Sequence, residues 1–176
     1  MQRPLFFLSF LAVIGILSWL LFGFFGVQAL FTNTVVQEEL PEIPSSGSPL
    51  SDAPSPTLLA SGGFVQGDST YTISGSAFLT QESEARTLSF ENFSVTNGPD
   101  LFVYLVDTSS ADNTSVKNAV REGNFINLGE LKGNLGNQNY LLPEGELPAH
   151  MVISIWCKRF SRNFGAAALV SPIQTE

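Results

Sequence analysis

Short segments in which apolar and polar residues alternate run from about residue 58 to residue 172, and they constrain the fold of this chain most strongly. In the segment 71–79, one face would carry Tyr71, Ile73, Ala77 and Leu79. An alternation with a period of two predicts a β-strand that is buried on one face. Short strands separated by Gly, Asn and Pro turns are typical of an all-β sandwich or barrel. We therefore predict a single β-sandwich domain over 58–172, followed by a short tail at 173–176.

The segment 87–95 changes face half-way along its length. Its large apolar residues are Leu88, Phe90, Phe93 and Val95. The first two would lie on one side of a regular strand and the last two on the other. A β-bulge near Glu91 and Asn92 would bring all four to the same side, and we predict one there.

An unbroken apolar run, LFVYLV at 101–106, predicts a central strand that is covered on both faces. One short helix is predicted within 112–123, with Thr114 as its cap and Gly123 at its end. Further strands are predicted at 125–128, 151–157 and 166–170.

The amino-terminal part has no charged residue between Arg3 and Glu38, and the segment 5–31 is almost wholly apolar. As one helix this segment would extend roughly 40 Å, which exceeds the roughly 30 Å hydrocarbon core of a bilayer. Signal peptides usually have a shorter apolar region of about 7–15 residues. We predict a retained transmembrane anchor over 1–31. The alternative is a cleaved signal peptide, with a loose cleavage site at 27–29.

The distribution of basic residues predicts the orientation of this anchor. Arg3 precedes the apolar segment, and the next Lys or Arg is Arg86. Basic residues favour the cytoplasmic side of a membrane. We therefore expect a single-pass protein of the cell membrane with a cytoplasmic amino terminus. Its folded domain would be extracytoplasmic, either in a periplasm or at the cell surface.

The segment 32–57 is rich in proline, serine and acidic residues. Such a composition buries little apolar surface and favours extended, solvated chain. We predict that it is a flexible linker that holds the domain away from the membrane.

Composition excludes several classes of function. The formal net charge is −8, with 8 Lys+Arg against 16 Asp+Glu, so the chain lacks the basic surface that nucleic-acid binding requires. The sequence has one cysteine and one histidine, His150, which excludes multi-cysteine zinc sites and blue-copper sites. His150 and Cys157 lie seven positions apart in one strand segment, too far apart for a catalytic dyad. The residues therefore indicate no metal site and no conventional enzyme class, and they do not identify a cofactor.

Cys157 is the remaining reactive group, and it has two interpretations. Lys158, Arg159 and Arg162 follow it directly, and nearby cations favour the reactive thiolate. Alternation within 151–157, however, places Cys157 on the apolar face with Met151, Ile153 and Ile155, where it would be a small core residue. Trp156 would point to the opposite face.

Three motifs occur in order along the predicted domain: GPDLFVYL at 98–105, LGELKGNLGNQNYLLP at 128–143 and ISIWCKRFSRNFGAAAL at 153–169. Together with SGSA at 74–77 and LSFENF at 88–93, they resemble the DM-thirteen domain of Skeletor-type and bacterial envelope proteins. The resemblance spans residues 63–169. It implies a β-sandwich, an association with electron transfer and a characteristic cysteine, here Cys157. Tyr71 departs from the pattern, since many members have a histidine near this position, and this weakens any histidine-assisted metal or haem site.

Two functions follow from these features. In the first, the domain is a membrane-tethered redox or electron-transfer accessory with Cys157 as its active group. Lys158, Arg159 and Arg162 would then support the thiolate electrostatically. In the second, it is a non-catalytic binding module of the cell envelope with a structural cysteine, and its partner is a protein or a carbohydrate.

Overall fold

The computed structural model describes residues 3–24, 32–43 and 55–172, and it contains two five-stranded β-sheets. The strands are β1 (Val35–Gln37), β2 (Thr57–Gly63), β3 (Val65–Gln66), β4 (Ile73–Glu82), β5 (Ala85–Val95), β6 (Leu101–Val106), β7 (Phe125–Glu130), β8 (Leu135–Leu141), β9 (Met151–Cys157) and β10 (Arg162–Leu169). The first sheet has the order β1-β8-β5-β4-β2, and the second has the order β3-β10-β9-β6-β7. The two sheets enclose one apolar core, which confirms the predicted β-sandwich.

The bulge predicted in β5 is confirmed. Between β4 and β5 the pairing steps from Ser74–Ser94 to Ser76–Glu91, so β5 has one additional residue at this point. Asn92 takes up this residue with a φ of +50°. Because of the bulge, all four large apolar side chains of the strand reach the core: Leu88, Phe90, Phe93 and Val95.

Strand β6 is covered on both faces, as its unbroken apolar sequence predicts. Leu101, Val103 and Leu105 lie in the core between the sheets. Tyr104 and Val106 lie on the opposite face in a second apolar cluster. This cluster is closed by α2 (Asn113–Glu122), which contributes Val116 and Ala119.

The ends of α2 show one wrong and one confirmed prediction. Thr114 is not the cap, because the carboxylate of Asp112 accepts hydrogen bonds from the backbone N–H groups of Thr114 and Ser115, both at 3.0 Å. Asp is among the preferred N-cap residues, because its carboxylate can accept from the free N–H groups of the first helical turn. Gly123 ends the helix in the left-handed conformation, with a φ of +84°.

The amino-terminal segment forms α1 (Arg3–Ser18), followed by a π-helical segment at Trp19–Phe24. Among the residues that the structure describes, no helix combines the length and hydropathy needed to cross a membrane. The predicted anchor reaches residue 31, and residues 25–31 lie outside the described part of the chain. The tail at 173–176 also lies outside it.

Two buried polar side chains of β8 explain part of the motif at 128–143. Gln138 donates to the carbonyl oxygen of Gly133 at 3.0 Å and accepts from its N–H at 3.3 Å. The Tyr140 hydroxyl donates to Gln138 at 2.7 Å and accepts from the Lys132 N–H at 3.0 Å. Because a buried amide is stable only when its hydrogen bonds are satisfied, this network fixes the loop before β8.

The structure differs from the predicted linker over its first part. Strand β1 pairs in parallel with β8, and Lys132 forms an ion pair with Glu38 at 2.7 Å. The backbone N–H of Asn139 also donates to the Glu38 carboxylate at 2.7 Å. We call residues 32–43 the docked strap. The pattern of prolines and acidic residues gave no sign of it, because its partners lie about 100 positions away in the sequence. Residues 44–54 of the predicted linker lie outside the described residues.

Replacement of Gly136 by alanine should detach the docked strap. Gly136 has a φ of +97°, and an added Cβ would overlap the carbonyl oxygen of Val36 in β1. Gly136→Ala should lower the free energy of unfolding by backbone strain and by overpacking, each about 1–3 kcal/mol. Urea unfolding and proteolysis within 32–43 provide the measurements.

Gly129→Ala is the matched control, since Gly129 has a φ of +117° and an added Cβ would meet no atom within 4 Å. Gly129→Ala should lower the free energy of unfolding by the backbone strain alone, and it should leave the docked strap resistant to protease. Equal losses in both variants, without new cleavage, would show that β1 contributes nothing to stability.

Candidate functional site

Cys157 is the last residue of β9, and its side chain points into the core between the sheets. It shares this face with Ile153 and Ile155, while Trp156 lies in the cluster on the opposite face, as the alternation predicts. The Cys157 side chain has no exposed surface (0%) and forms no disulfide. The sulfur therefore lies at the closed end of the apolar core.

A turn at 97–100 covers the sulfur. The Cys157 thiol donates to the carbonyl oxygen of Pro99, with a distance of 3.0 Å from Sγ to oxygen. The backbone N–H of Lys158 donates to the Asp100 carbonyl oxygen at 3.0 Å. Gly98 is required here, because an added Cβ would lie 2.7 Å from the ring of Phe164. We call the turn 97–100 the cap.

Two aromatic rings complete this closed end. Tyr71 stacks on Phe164 with ring centroids 3.6 Å apart and an interplanar angle of 8°. The pKa of Tyr71 is raised, mainly by burial and then by the negative charges of Asp68 and Cys157. Both rings pack in the apolar core that contains Cys157. Thus the position that departs from the family pattern belongs to the site.

Burial raises the pKa of the Cys157 thiol and is the largest of its causes. The nearby charge of Asp100 acts in the same direction. The backbone N–H groups of Phe160 and Arg159 and the charge of Arg159 act in the opposite direction, and they do not compensate for burial. The thiol is therefore protonated near neutral pH, which is opposite to the effect expected from the cationic sequence around it.

The three predicted supporting cations do not act together. Arg162 forms an ion pair with Asp68 at 3.3 Å, and the Lys158 ammonium lies 5.3 Å from the ring centroid of Phe102. Of the three, Arg159 alone lowers the pKa of the thiol. Sequence proximity placed all three near Cys157, but strand alternation and the turn after β9 direct them to different surroundings.

His150 lies away from the sulfur, just before β9 begins, whereas Cys157 ends that strand. Its Nδ1 is 3.7 Å from the carboxylate of Asp107, and both side chains are largely exposed. Among the described residues, no group of three His, Cys, Asp or Glu side chains could hold a metal ion. A dyad of His150 and Cys157 is therefore not formed.

Comparison with known protein families gives a match over residues 64–169 to the family described as Electron transfer DM13. The match covers more than half of the chain. The chain belongs to the DM13 family. No curated protein and no solved structure matches it. The DM13 match includes both sheets except β1 and β2, and it contains Cys157, the cap and the stacked pair of Tyr71 and Phe164.

Sequence reasoning missed Asp100 and the two backbone N–H groups as determinants of this DM13 site. Asp100 is the last residue of the cap and has a φ of +68°. Its effect on the thiol arises because β6 pairs with β9, which brings Leu101 opposite Cys157. The N–H groups of Arg159 and Phe160 carry no signal in the sequence, because backbone donors are the same for every residue type.

The raised pKa of Cys157 predicts a loss of stability at alkaline pH. The folded state holds the thiol proton more tightly than the unfolded state, whose thiol has a pKa of about 8.5. This contribution is complete below about pH 8.5 and is lost as the pH rises through the folded-state pKa. The slope is at most about 1.4 kcal/mol per pH unit for one proton. Urea unfolding between pH 7 and about pH 10 should show it.

Cys157→Ala should lack this dependence up to about pH 9, because the tyrosines of the unfolded state titrate only at about pH 10. The rate of alkylation of the native protein should rise with pH, and the midpoint of this rise should lie above the pKa of a free thiol, about 8.5. Parallel pH curves for wild type and Cys157→Ala, or rapid alkylation at neutral pH, would contradict the raised pKa.

Proposed function

We propose that this DM13 protein is a redox accessory, tethered to a membrane, that exchanges electrons through Cys157 on the outer side. The observation that carries the proposal is the match to an electron-transfer family over the segment that contains the single cysteine of the sequence. The shielded thiol is compatible with electron exchange but disfavours thiol exchange, since the latter needs direct access of a second sulfur.

The protonated state of Cys157 determines the form of the redox step. The S–H bond breaks, one electron leaves to a one-electron acceptor of the metal or haem class on a partner, and one proton leaves to water. The product is a neutral sulfur radical, and return of one electron and one proton restores the thiol. The N–H groups of Arg159 and Phe160 would favour electron density on the sulfur during this exchange.

The membrane tether is supported by the sequence and by the surface of α1. The segment 5–31 carries no charge, and large apolar side chains along α1 are exposed, among them Phe7 and Ile16. Exposed apolar surface of this kind marks a site of membrane or protein contact. The positive charge of Arg3 favours a cytoplasmic amino terminus and an extracytoplasmic domain.

A second candidate is the non-catalytic binding module, and the complete burial of Cys157 favours it. In that case the thiol and its hydrogen bond to Pro99 are structural. A cleft of about 530 Å³ on the solvent side of the cap would bind the partner. Its charged lining residues are Asp100, Glu130, Lys132 and Arg159. Mixed charge of this type suits a polar protein segment or a carbohydrate.

Voltammetry of the full chain in detergent separates the two functions. The redox function predicts a wave that depends on Cys157, and its potential should fall by about 59 mV per pH unit because one proton accompanies one electron. The slope should flatten above the pKa of the thiol. Cys157→Ser should lack the wave, while circular dichroism shows an intact β-sandwich. If the serine variant does not fold, Cys157→Ala is used in its place. Identical traces for wild type and variant would leave the binding module as the function.

Membrane fractionation tests the tether. The full chain should be recovered in the membrane fraction with its original amino terminus, because the uncharged segment 5–31 is retained. Amino-terminal sequencing provides the measurement. A soluble mature chain that begins near Leu30 would show a cleaved signal peptide instead.

A further inference from the structure

A second cavity, of about 320 Å³, lies on the opposite face of β9 from Cys157, between the second sheet and α2. Its aromatic lining residues are Tyr104, Phe125 and Trp156, and its basic ones are Lys117, Arg121 and Lys158. We call it the aromatic pocket. It plays no part in the thiol chemistry described above, so ligand binding here is independent of the proposed redox function.

The floor of the aromatic pocket is fixed by the sheet. Tyr104 belongs to β6 and Trp156 to β9, and both are buried. Their rings lie 6.3 Å apart with an interplanar angle of 20°, and Phe125 stacks on Tyr104 at 4.3 Å. Because neighbouring paired strands hold these rings, the pocket is formed before any ligand arrives.

The rim of the pocket is unusually basic for this chain. Three of the 8 Lys+Arg residues line it, although the chain has 16 Asp+Glu, and no acidic side chain is among the lining residues. No described carboxylate lies within ion-pair distance of Lys117, Arg121 or Lys158. Three cations that converge without a counter-ion from the described part of the chain favour the binding of an anion.

The polar groups of the pocket floor, the Tyr104 hydroxyl and the Trp156 indole N–H, also favour a ligand that accepts hydrogen bonds. Among the described residues, none accepts a hydrogen bond from the Tyr104 hydroxyl or from the indole N–H of Trp156. Both atoms are open to solvent, so they can donate to a ligand that enters the pocket. The lining therefore offers donors and cations together, and it lacks a competing carboxylate.

We propose that the aromatic pocket binds a small planar organic anion, namely an aromatic carboxylate. The carboxylate would lie at the rim, where Arg121 can donate two parallel hydrogen bonds and the lysines add charge. The ring would lie against Phe125 and Trp156. The cavity volume is at the lower end of the range for small-molecule sites, about 300–1,000 Å³, and this size suits a ligand of one or two rings.

The test uses 4-nitrobenzoate and its neutral analogue 4-nitrobenzamide with the full chain in detergent. Calorimetric titration should show binding of the carboxylate and at least about tenfold weaker binding of the amide, because loss of the charge removes a charge-assisted hydrogen bond. Added salt should weaken binding of the carboxylate. The Trp19→Phe variant leaves Trp156 as the single tryptophan of the sequence. In this variant the nitro ring should quench the Trp156 fluorescence, with a midpoint concentration equal to the calorimetric Kd, which places the ligand in the aromatic pocket.

Lys117→Gln and Arg121→Gln should each weaken 4-nitrobenzoate about tenfold without changing the unfolding curve. Arg86→Gln is the matched control, because it removes the same charge from the opposite sheet and should leave the affinity unchanged. Equal affinity for the amide, equal affinity for inorganic phosphate, unquenched Trp156, or equal weakening by Arg86→Gln would each overturn the proposal.

Discussion

The burial of β9 on both faces determines where the chemistry of this domain lies. The strand is central in its sheet, with the inter-sheet core on one face and the cluster under α2 on the other. Consecutive side chains must therefore enter different apolar environments. At the end of the strand this places Cys157 in the core and Trp156 in the aromatic pocket. Both candidate sites thus depend on one strand and on its register with β6.

The state of Cys157 results from competition between desolvation and charge, and desolvation is the stronger effect. The neighbouring cations are exposed, so water and salt screen them, whereas the sulfur itself is removed from water. Asp100 also cancels part of the effect of Arg159. A basic stretch after a strand end is therefore insufficient to make a thiolate. The thiolate requires access to solvent or a larger number of hydrogen-bond donors than this turn provides.

Local patterning predicted strands at the positions of β4, β5, β6, β7, β9 and β10, but not β2, β3 or β8. It also predicted the bulge in β5, the coverage of β6 and the inward direction of Cys157, since each depends on side chains a few positions apart. It did not predict the docked strap, because the pairing of β1 with β8 depends on Glu38 and Asn139, which are far apart in the sequence. It named Lys158 and Arg162 as support for the thiol because they lie close to Cys157 in the sequence. It missed Asp100, which reaches the thiol only through the pairing of β6 with β9. It also missed the aromatic pocket, whose lining comes from β6, α2, β7 and β9 and the turn that follows β9.

The docked strap changes the geometry of the proposed tether. It holds residues 32–43 against the domain, so these residues are not a free spacer between the domain and the proposed anchor. The strap enters the domain beside the cap, where the side-chain amide of Asn97 donates to Asn33 at 2.8 Å. The cap over Cys157 therefore lies at the end of the domain where the docked strap enters. If the protein is tethered as proposed, an electron acceptor would reach the sulfur from this end, through the cap, and not through the aromatic pocket on the other face of β9.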